Sequence, residues 1–393
     1  MKPSPVRRAV WLLPLSVTLA LVCALAAYGA TTRSSAGSTL VVDNSFTIKT
    51  SDPQRAFDPT ASIVDRAIYD TLFTYNKGDL TTPIPLLVQS WKAANGGKTF
   101  TFQLKPNVHF ANGSPLTSAD VVFSMNRLIN LKGNPAFLLA GITVSARGKY
   151  TVVMKSATPA TQLTAILANP STGIVNSKLV KAHGGSSGAT ASTADKAEQF
   201  LNSSASIGAG SGPYTLKSFS TTSQVTLSPN AKYWGAKKPA FGTIVIRNML
   251  APTQLLNVQR GSHEVAIDLS ADQATTLKSN SKVKVSLQPS TWVFWLFTNN
   301  DSSISTTTSN KQFQTAVRYA LDYKSIVSIA GPGAIQAPGI IPSMFLGSLP
   351  QKDAIKQNLT KAKAALAASG VGSQQVTLEY PSDLTINGVP FTT

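Results

Sequence analysis

His263-Glu264 supplies the first two members of a His-Glu-x-x-His helix, in which two histidines one turn apart hold zinc and the glutamate acts as general base. Ile267 stands where the second histidine belongs, so the motif is broken. The chain has three histidines, His109, His183 and His263, and a Ser-His-Asp hydrolase would have to take its base from these. No Gly-x-Ser-x-Gly elbow is present to expose a nucleophile. Gly208-Ala209-Gly210-Ser211-Gly212 has the glycines of a phosphate loop but no helix pattern after it. Asn299-Asn300 and the nearby acids lack calcium-loop spacing. The residues that could do covalent chemistry therefore do not assemble into a known constellation, and the expectation is a non-enzyme with no metal and no cofactor. Binding chemistry remains. Thr291 to Asn299 reads Thr-Trp-Val-Phe-Trp-Leu-Phe-Thr-Asn, with Trp292 and Trp295 as candidate ligand contacts. A tryptophan in a cleft encloses a side chain or ring of the ligand. In a regular strand Trp292 and Trp295 point to opposite faces, so one of them at most meets the ligand and the other is core.

The elements that would position such a site are legible from periodicity. Gly96-Gly97 predicts a turn, and Phe100, Phe102 and Leu104 alternate with Thr99, Thr101 and Gln103 in the strand it opens. Val108 and Phe110 predict a second short strand, ended by Asn112-Gly113. Thr117-Ser118-Ala119-Asp120 opens a helix whose apolar side holds Val121, Val122, Met125 and Leu128. Further strands are expected at 40–42, 214–219, 224–227 and 376–380, and a helix at 63–72. The Gly-, Ser-, Ala- and Thr-rich run from His183 to Thr193 predicts a flexible surface loop.

The segment from Trp91 to Arg127 resembles the signature of the family 5 extracellular solute-binding proteins, the peptide- and nickel-binding group of ABC importers. Other pieces follow in that family's order. Gly210-Ser211-Gly212-Pro213-Tyr214 resembles its Gly-Thr-Gly-Pro-Tyr turn, and Asn230-Ala231-Lys232-Tyr233-Trp234 its Asn-x-x-Tyr-Trp segment. Gln254 to Gly261 is similar to a helix and glycine that precede a strand, with Glu264 as the acid. Phe313 to Asp322 and Lys361 to Gly370 resemble two later helices. The resemblance implies an α/β chain with a two-lobed periplasmic-binding-protein-like fold of type II, carrying an extra domain. It implies a signal peptide at 1–29, a tether at 30–39, lobe I at 40–75 and 205–290, the extra domain at 76–204 and lobe III at 291–393. The aromatic strand at 291–299 would then cross toward the last lobe. The implied partners are an oligopeptide or similar small solute and membrane permease subunits, with the protein itself a monomer. Peptide-binding members pair backbone groups with the ligand as an added strand, which leaves little side-chain trace.

The opening residues agree with export. Lys2, Arg7 and Arg8 precede an apolar stretch from Ala9 to about Ala27, closed by Ala24-Leu25-Ala26 and Ala27-Tyr28-Gly29. That pattern predicts a cleaved secretory signal. An uncleaved membrane anchor is the alternative of similar length, and Arg7-Arg8 fits a twin-arginine signal poorly. The single cysteine, Cys23, follows Val22 rather than the small residue usual before a lipidated cysteine, which disfavours a lipid anchor. Cleavage beyond Cys23 leaves no cysteine, hence no disulfide and no thiolate metal site. The expected location is periplasmic or on the cell surface.

Lys and Arg number 35 against 17 Asp and Glu, a net charge of +18. The cations are dispersed, with Lys237-Lys238 the longest run after Arg8 and no basic stripe interleaved with aromatics, so nucleic-acid binding is not expected. The composition suits an anionic envelope or an acidic exterior. Toward Thr393 the resemblance breaks off. Members of the family usually continue beyond the strand expected at 376–380 with a Trp-x-x-Asp-Tyr segment, and Asp383 does not stand in for its Asp. The expectation is a last lobe that is incomplete, with a non-functional truncated fragment or a secreted hydrolase as the alternatives to a working solute-binding protein.

Overall fold

The apolar runs fall mainly into two larger sheets, of four and five strands, beside two two-stranded pairs among the described residues. The computed structural model describes residues 38–393 except 77–78, 80, 262–263, 288–292, 344, 346, 383–384, 387–388 and 393. The signal peptide at 1–29, Cys23, nearly all of the tether, His263, Trp292 and Asp383 lie outside the described residues. The main strands are β1 (Thr39–Asn44), β2 (Phe73–Tyr75), β3 (Pro83–Pro85), β4 (Val88–Ala94), β5 (Thr99–Leu104), β6 (Ile142–Ala146), β7 (Thr151–Ser156), β8 (Tyr214–Ser218), β9 (Gln224–Pro229), β10 (Thr243–Asn248) and β11 (Glu264–Ala266). The longer helices are α1 (Pro59–Ile68), α2 (Ser118–Leu131), α3 (Ala251–Arg260), α4 (Lys311–Ala320) and α5 (Leu359–Ser369). Among the described residues no helix is long and apolar enough to cross a membrane.

One sheet has the order β4-β5-β7-β6 and is antiparallel throughout. The alternation seen in the sequence sets its faces. Phe100, Phe102 and Leu104 are buried, and Phe100 and Phe102 lie opposite Met154 and Val152. Val121, Met125 and Leu128 of α2 join them in one core that also takes Leu72, Phe73 and Ile174. Helix α2 begins where expected. Thr117 and Asp120 hold its start, with the Thr117 N–H donating to Asp120 Oδ2 at 2.9 Å. Asp120 Oδ1 accepts from the Ser177 N–H and hydroxyl at 3.0 and 2.7 Å, so this carboxylate also ties in a second segment.

The other sheet has the order β11-β1-β10-β9-β8. Strand β1 runs parallel to β10 and β11, and β9 runs antiparallel to β10 and β8. Its core holds Val42, Val64, Ile68, Leu216, Val225, Leu227 and Ile246, together with Val175, Val180, Phe200 and Leu201 from the middle of the chain.

Several expectations are corrected. The helix expected at 63–72 is α1, which stops at Ile68. Tyr69 turns extended, its N–H closing on Asp65 O, and the chain carries Leu72 and Phe73 out of one core into the other. Burial of those two side chains outweighs continued helix. The strand expected at Val108 and Phe110 is a single bridge, His109 to Pro115. The run from His183 to Thr193 is tied down rather than loose. Ser186 N–H donates to Asp195 Oδ2, Asn130 Nδ2 donates to Ser187 O, and Lys196 N–H donates to Gly184 O. Residues 293–299 and 376–380 are not strands. A strand needs a ladder partner, and neither described stretch finds one. Helices α4 and α5 do form and pack on each other through small residues, Ala316, Ala362 and Ala365. Helix α5 ends in the expected glycine, Gly370, at φ 65°.

Candidate functional site

In open sheets with parallel strands, ligands bind beyond the carboxyl ends of those strands. Here those ends are Asn44 of β1, Asn248 of β10 and Ala266 of β11, which lie side by side. The segments leaving them are cross-linked. The Met249 N–H donates to Asn44 O at 3.0 Å, the Ile267 N–H to Asp43 O at 3.1 Å and the Phe46 N–H to Asn248 Oδ1 at 3.0 Å. The Ser45 N–H donates to Asp268 Oδ2. Gln254, buried at the start of α3, bridges two of the exits. Its Nε2 donates to Met249 O at 2.8 Å and its Oε1 accepts from the Asp268 N–H at 3.1 Å. Leu250 and Ile267 are exposed beside these groups. The result is a rigid rim of backbone, hydroxyl and carboxylate groups with apolar neighbours.

The electrostatics of this rim oppose the charge of the chain. Arg247 donates from Nε to Asp43 Oδ1 at 2.7 Å and from Nη2 to Glu264 Oε1 at 3.0 Å. Asn257 Nδ2 adds a bond to Asp43 Oδ2 at 2.8 Å. The hydrogen bond to Asp43 chiefly pushes the Arg247 guanidinium above its ordinary range, despite partial burial. Glu264 Oε2 is buried without a partner among the described residues. Asp43 near the end of β1 and Asp268 just after β11, with Glu264 at the start of β11, outnumber Arg247 in a chain of net charge +18.

Two chain crossings set the rim sheet against the antiparallel sheet. Gly210 and Gly212 pass against the end of α1. A Cβ on Gly210 would come within 2.1 Å of Ile68 O, and one on Gly212 within 2.6 Å of Ala67 O. Both positions therefore require glycine, and the Gly212 N–H uses the space to donate to Ile68 O at 2.8 Å. Ser211 Oγ and Trp234 Nε1 donate to Asp70 Oδ2 at 2.9 and 2.8 Å. Burial and the Asp70 charge push Tyr233 up to about 12.

Arg127 of α2 is completely buried and is the strongest clamp. Nε and Nη2 donate to Asp195 Oδ2 and Oδ1 at 2.8 Å each, Nη1 and Nη2 to Asp52 Oδ1 and Oδ2 at 2.6 Å each, and Nη1 to Gln54 Oε1 at 2.9 Å. All five N–H donors are used. Burial works against both charges. Even so, Arg127 and the Ser186 N–H hold Asp195 down at about 2, and Asp52 and Asp195 push Arg127 up.

The residues singled out in the sequence do not converge on one place. Trp295 is half exposed, 48 % accessible, with its ring edge-on to Phe297 at 5.5 Å. Its partner candidate Trp292 lies outside the described residues, so the opposite-face argument has no strand to act on. His109 sits in the bridge before α2 with its Nδ1 buried and without a partner among the described residues. His183 stacks on Phe200 at 3.8 Å. Gly208 to Gly212 is a close-packed crossing rather than a phosphate cradle. No group of three or more metal-ligand side chains occurs among the described residues. The rim residues Asp43, Arg247, Gln254 and Asp268 were not found from sequence. For Asp43, Arg247 and Asp268 the one signal was position, just after an apolar run, and Gln254 was read only as the start of a helix.

Comparison with known proteins gives a consistent picture. The profile described as "Bacterial extracellular solute-binding proteins, family 5 Middle" matches residues 82–388. The "Probable D,D-dipeptide-binding periplasmic protein DdpA" of Escherichia coli K12 is 31 % identical over 333 residues, 83 % of this chain and 61 % of that protein. A glutathione-binding protein, GsiB, of Pectobacterium atrosepticum is 24 % identical over 85 % of this chain and 60 % of its own length. The chain thus spans about three fifths of the length of these curated relatives. The solved structure of Listeria monocytogenes OppA bound to peptide superposes with a TM-score of 0.69 at 20 % identity, over 90 % of this chain and 72 % of that one, and shares its fold.

Proposed function

Because this chain belongs to the bacterial extracellular solute-binding proteins, family 5, we propose that it captures a short peptide or a similar small solute and passes it to the permease of an ABC importer. The observation that carries this is the family match over 82–388, supported by 31 % identity to a probable dipeptide-binding protein. The family is one of binding proteins, and its description places it outside the cytoplasm.

The reading takes residues 40–75 and 205–290 as lobe I, 76–204 as the extra domain and 291–393 as part of the last lobe. The solute sits against the carboxyl ends of β1, β10 and β11. The acidic balance there favours a solute that presents an ammonium group, as a peptide does. The backbone groups leaving Asn44 and Asn248 suit pairing with a peptide backbone. Trp295 closes over the solute from the other side. Lobe closure then offers the permease a surface absent from the open form. The leader at 1–29 is removed on export, leaving a monomer free of lipid.

Calorimetric titration of this chain with a panel of L- and D,D-dipeptides tests the reading. A saturable heat with at least one peptide is the expected result. No heat with any peptide, from a sample that melts cooperatively, overturns it. Trp295→Ala should weaken the binding roughly tenfold, the ~1.4 kcal/mol of one aromatic contact. Its melting temperature should stay within about 2 °C of the parent, because a half-exposed side chain contributes little to the core.

A further inference from the structure

The segments 68–73 and 208–213 cross side by side between the two cores. Ile68 and Tyr69 belong to one core, Leu72 and Phe73 to the other. The crossing is pinned by Gly212 N–H to Ile68 O, by Ile174 N–H to Asp70 O at 2.9 Å and by the two donors on Asp70 Oδ2. One helical turn before it lies Asp65, 1 % exposed, with Oδ1 buried and unpartnered among the described residues. A carboxylate there, without a partner, is costly to ionise.

We propose that this crossing is a proton-linked hinge, in which a neutral carboxyl at Asp65 keeps the end of α1 packed against the crossing that Asp70 pins, and its ionisation loosens that packing. The surrounding charges give Asp65 no cation. Asp58 caps its own helix, and Arg66 on that helix is exposed. The loop before the helix brings Asp52 and Arg55, and α2 brings Arg127. Every Arg127 N–H is taken by Asp52, Asp195 and Gln54, and Arg55 pairs with Asp52 and Asp195. Strand β8 adds only Tyr214 and the exposed Lys217, and Tyr69 follows at the helix end. Burial first, then the Asp52 and Asp58 charges, push the Asp65 carboxyl well above its usual range. Asp70 faces Lys105, whose Nζ donates to Leu86 O, and Tyr233. Burial raises Asp70 against the bonds from Trp234 and Ser211 and the Lys105 charge.

The sign follows from linkage. A carboxyl raised in the folded state holds a proton that the unfolded chain loses near pH 4. The contribution of this group to stability is therefore fully present below the unfolded value and is lost as pH rises through the folded value. Asp195, held at about 2, contributes in the opposite sense, and only below the ordinary carboxylate range. Between pH 7.5 and 5.0 the raised groups set the slope.

The test is the melting temperature of the full chain at pH 7.5 and 5.0, with hydrogen exchange over 66–73 and 208–214 corrected for intrinsic rate. The parent should melt about 5 °C higher at pH 5.0, with the added protection concentrated in those two segments. Asp65→Asn and the apolar Asp65→Leu both remove the ionisation. At least one should exceed the parent at pH 7.5 and lose most of the pH slope. The three histidines, His109, His183 and His263, are common to all three chains, so they cancel from the difference. A flat or falling parent profile, a full slope retained in the variants, or both variants melting below the parent at pH 7.5 would overturn the hinge.

Discussion

Arg127→Met should lower the stability of this protein by about 3–5 kcal/mol, the loss typical when one partner of a buried ion pair is removed. The side chain is fully buried and its five donors all go to Asp52, Asp195 and Gln54. Methionine fills much of the volume but leaves two carboxylates facing each other without a buried cation, Arg55 being only partly buried. Arg127→Lys should recover little. An ammonium has three donors on one atom and cannot serve two carboxylates and an amide in the fork geometry. Urea melts at pH 7 measure both. The triple variant Asp52→Asn, Arg127→Met, Asp195→Asn should be more stable than Arg127→Met alone, because no buried carboxylate is left without its cation and the partly exposed Arg55 keeps Glu198. A loss under about 1 kcal/mol for Arg127→Met would mean that the cluster is open to water.

Gly210→Ala is the second large effect. The added methyl would lie 2.1 Å from Ile68 O, a backbone atom that cannot swing aside. Overpacking of this kind costs about 1–3 kcal/mol or more. The damage should be local as well as global. Ala111 N–H donates to Gly210 O at 3.0 Å and Asn176 N–H to Ala209 O at 2.8 Å, so displacement of the crossing loosens both. The measurement is a urea melt paired with amide exchange at 111 and 176. Gly96→Ala is the control. Its Cβ would meet nothing within 4 Å, though its φ of 63° brings a modest backbone cost. Equal losses for the two would show that backbone conformation, and not the contact with Ile68, sets the requirement at 210.

The parts of the fold that could be read from sequence are those written in local periodicity. Phe100, Phe102 and Leu104 announced β5, and Thr117 with Asp120 announced the start of α2. The Gly210-Ser211-Gly212-Pro213-Tyr214 turn could be recognised as a piece, but its reason could not. That reason is two carbonyls of α1, more than 140 residues earlier in the chain. Arg127 carried no mark in the sequence, since nothing local signals that Asp52 and Asp195 will meet it. The run Trp292 to Phe297 misled for a related reason. Alternation states which face a side chain takes if a strand forms, not whether a neighbour exists to form it, and Phe294, Leu296 and Phe297 remain exposed. The ligand rim was invisible because parallel strands from distant segments create it. Asp43 and Arg247 are brought opposite each other, and Glu264 near them, only by the sheet.

The loop from Gly184 to Lys196 has the composition of a linker and the anchoring of a structural element. Ser186, Ser187 and Lys196 tie it down, and its own Ala191 is buried. A protease needs a stretch of backbone that can detach and extend into its groove. Trypsin sites flank the loop at Lys181 and Lys196, and a composition-based map would mark this as the place where the chain is first nicked. The bonds to Asp195 and Asn130 instead make cleavage there wait for the Arg127 cluster to open. The rate at which a 181–196 cut accumulates thus becomes a clock for that buried cluster, readable on a gel without any spectroscopic label.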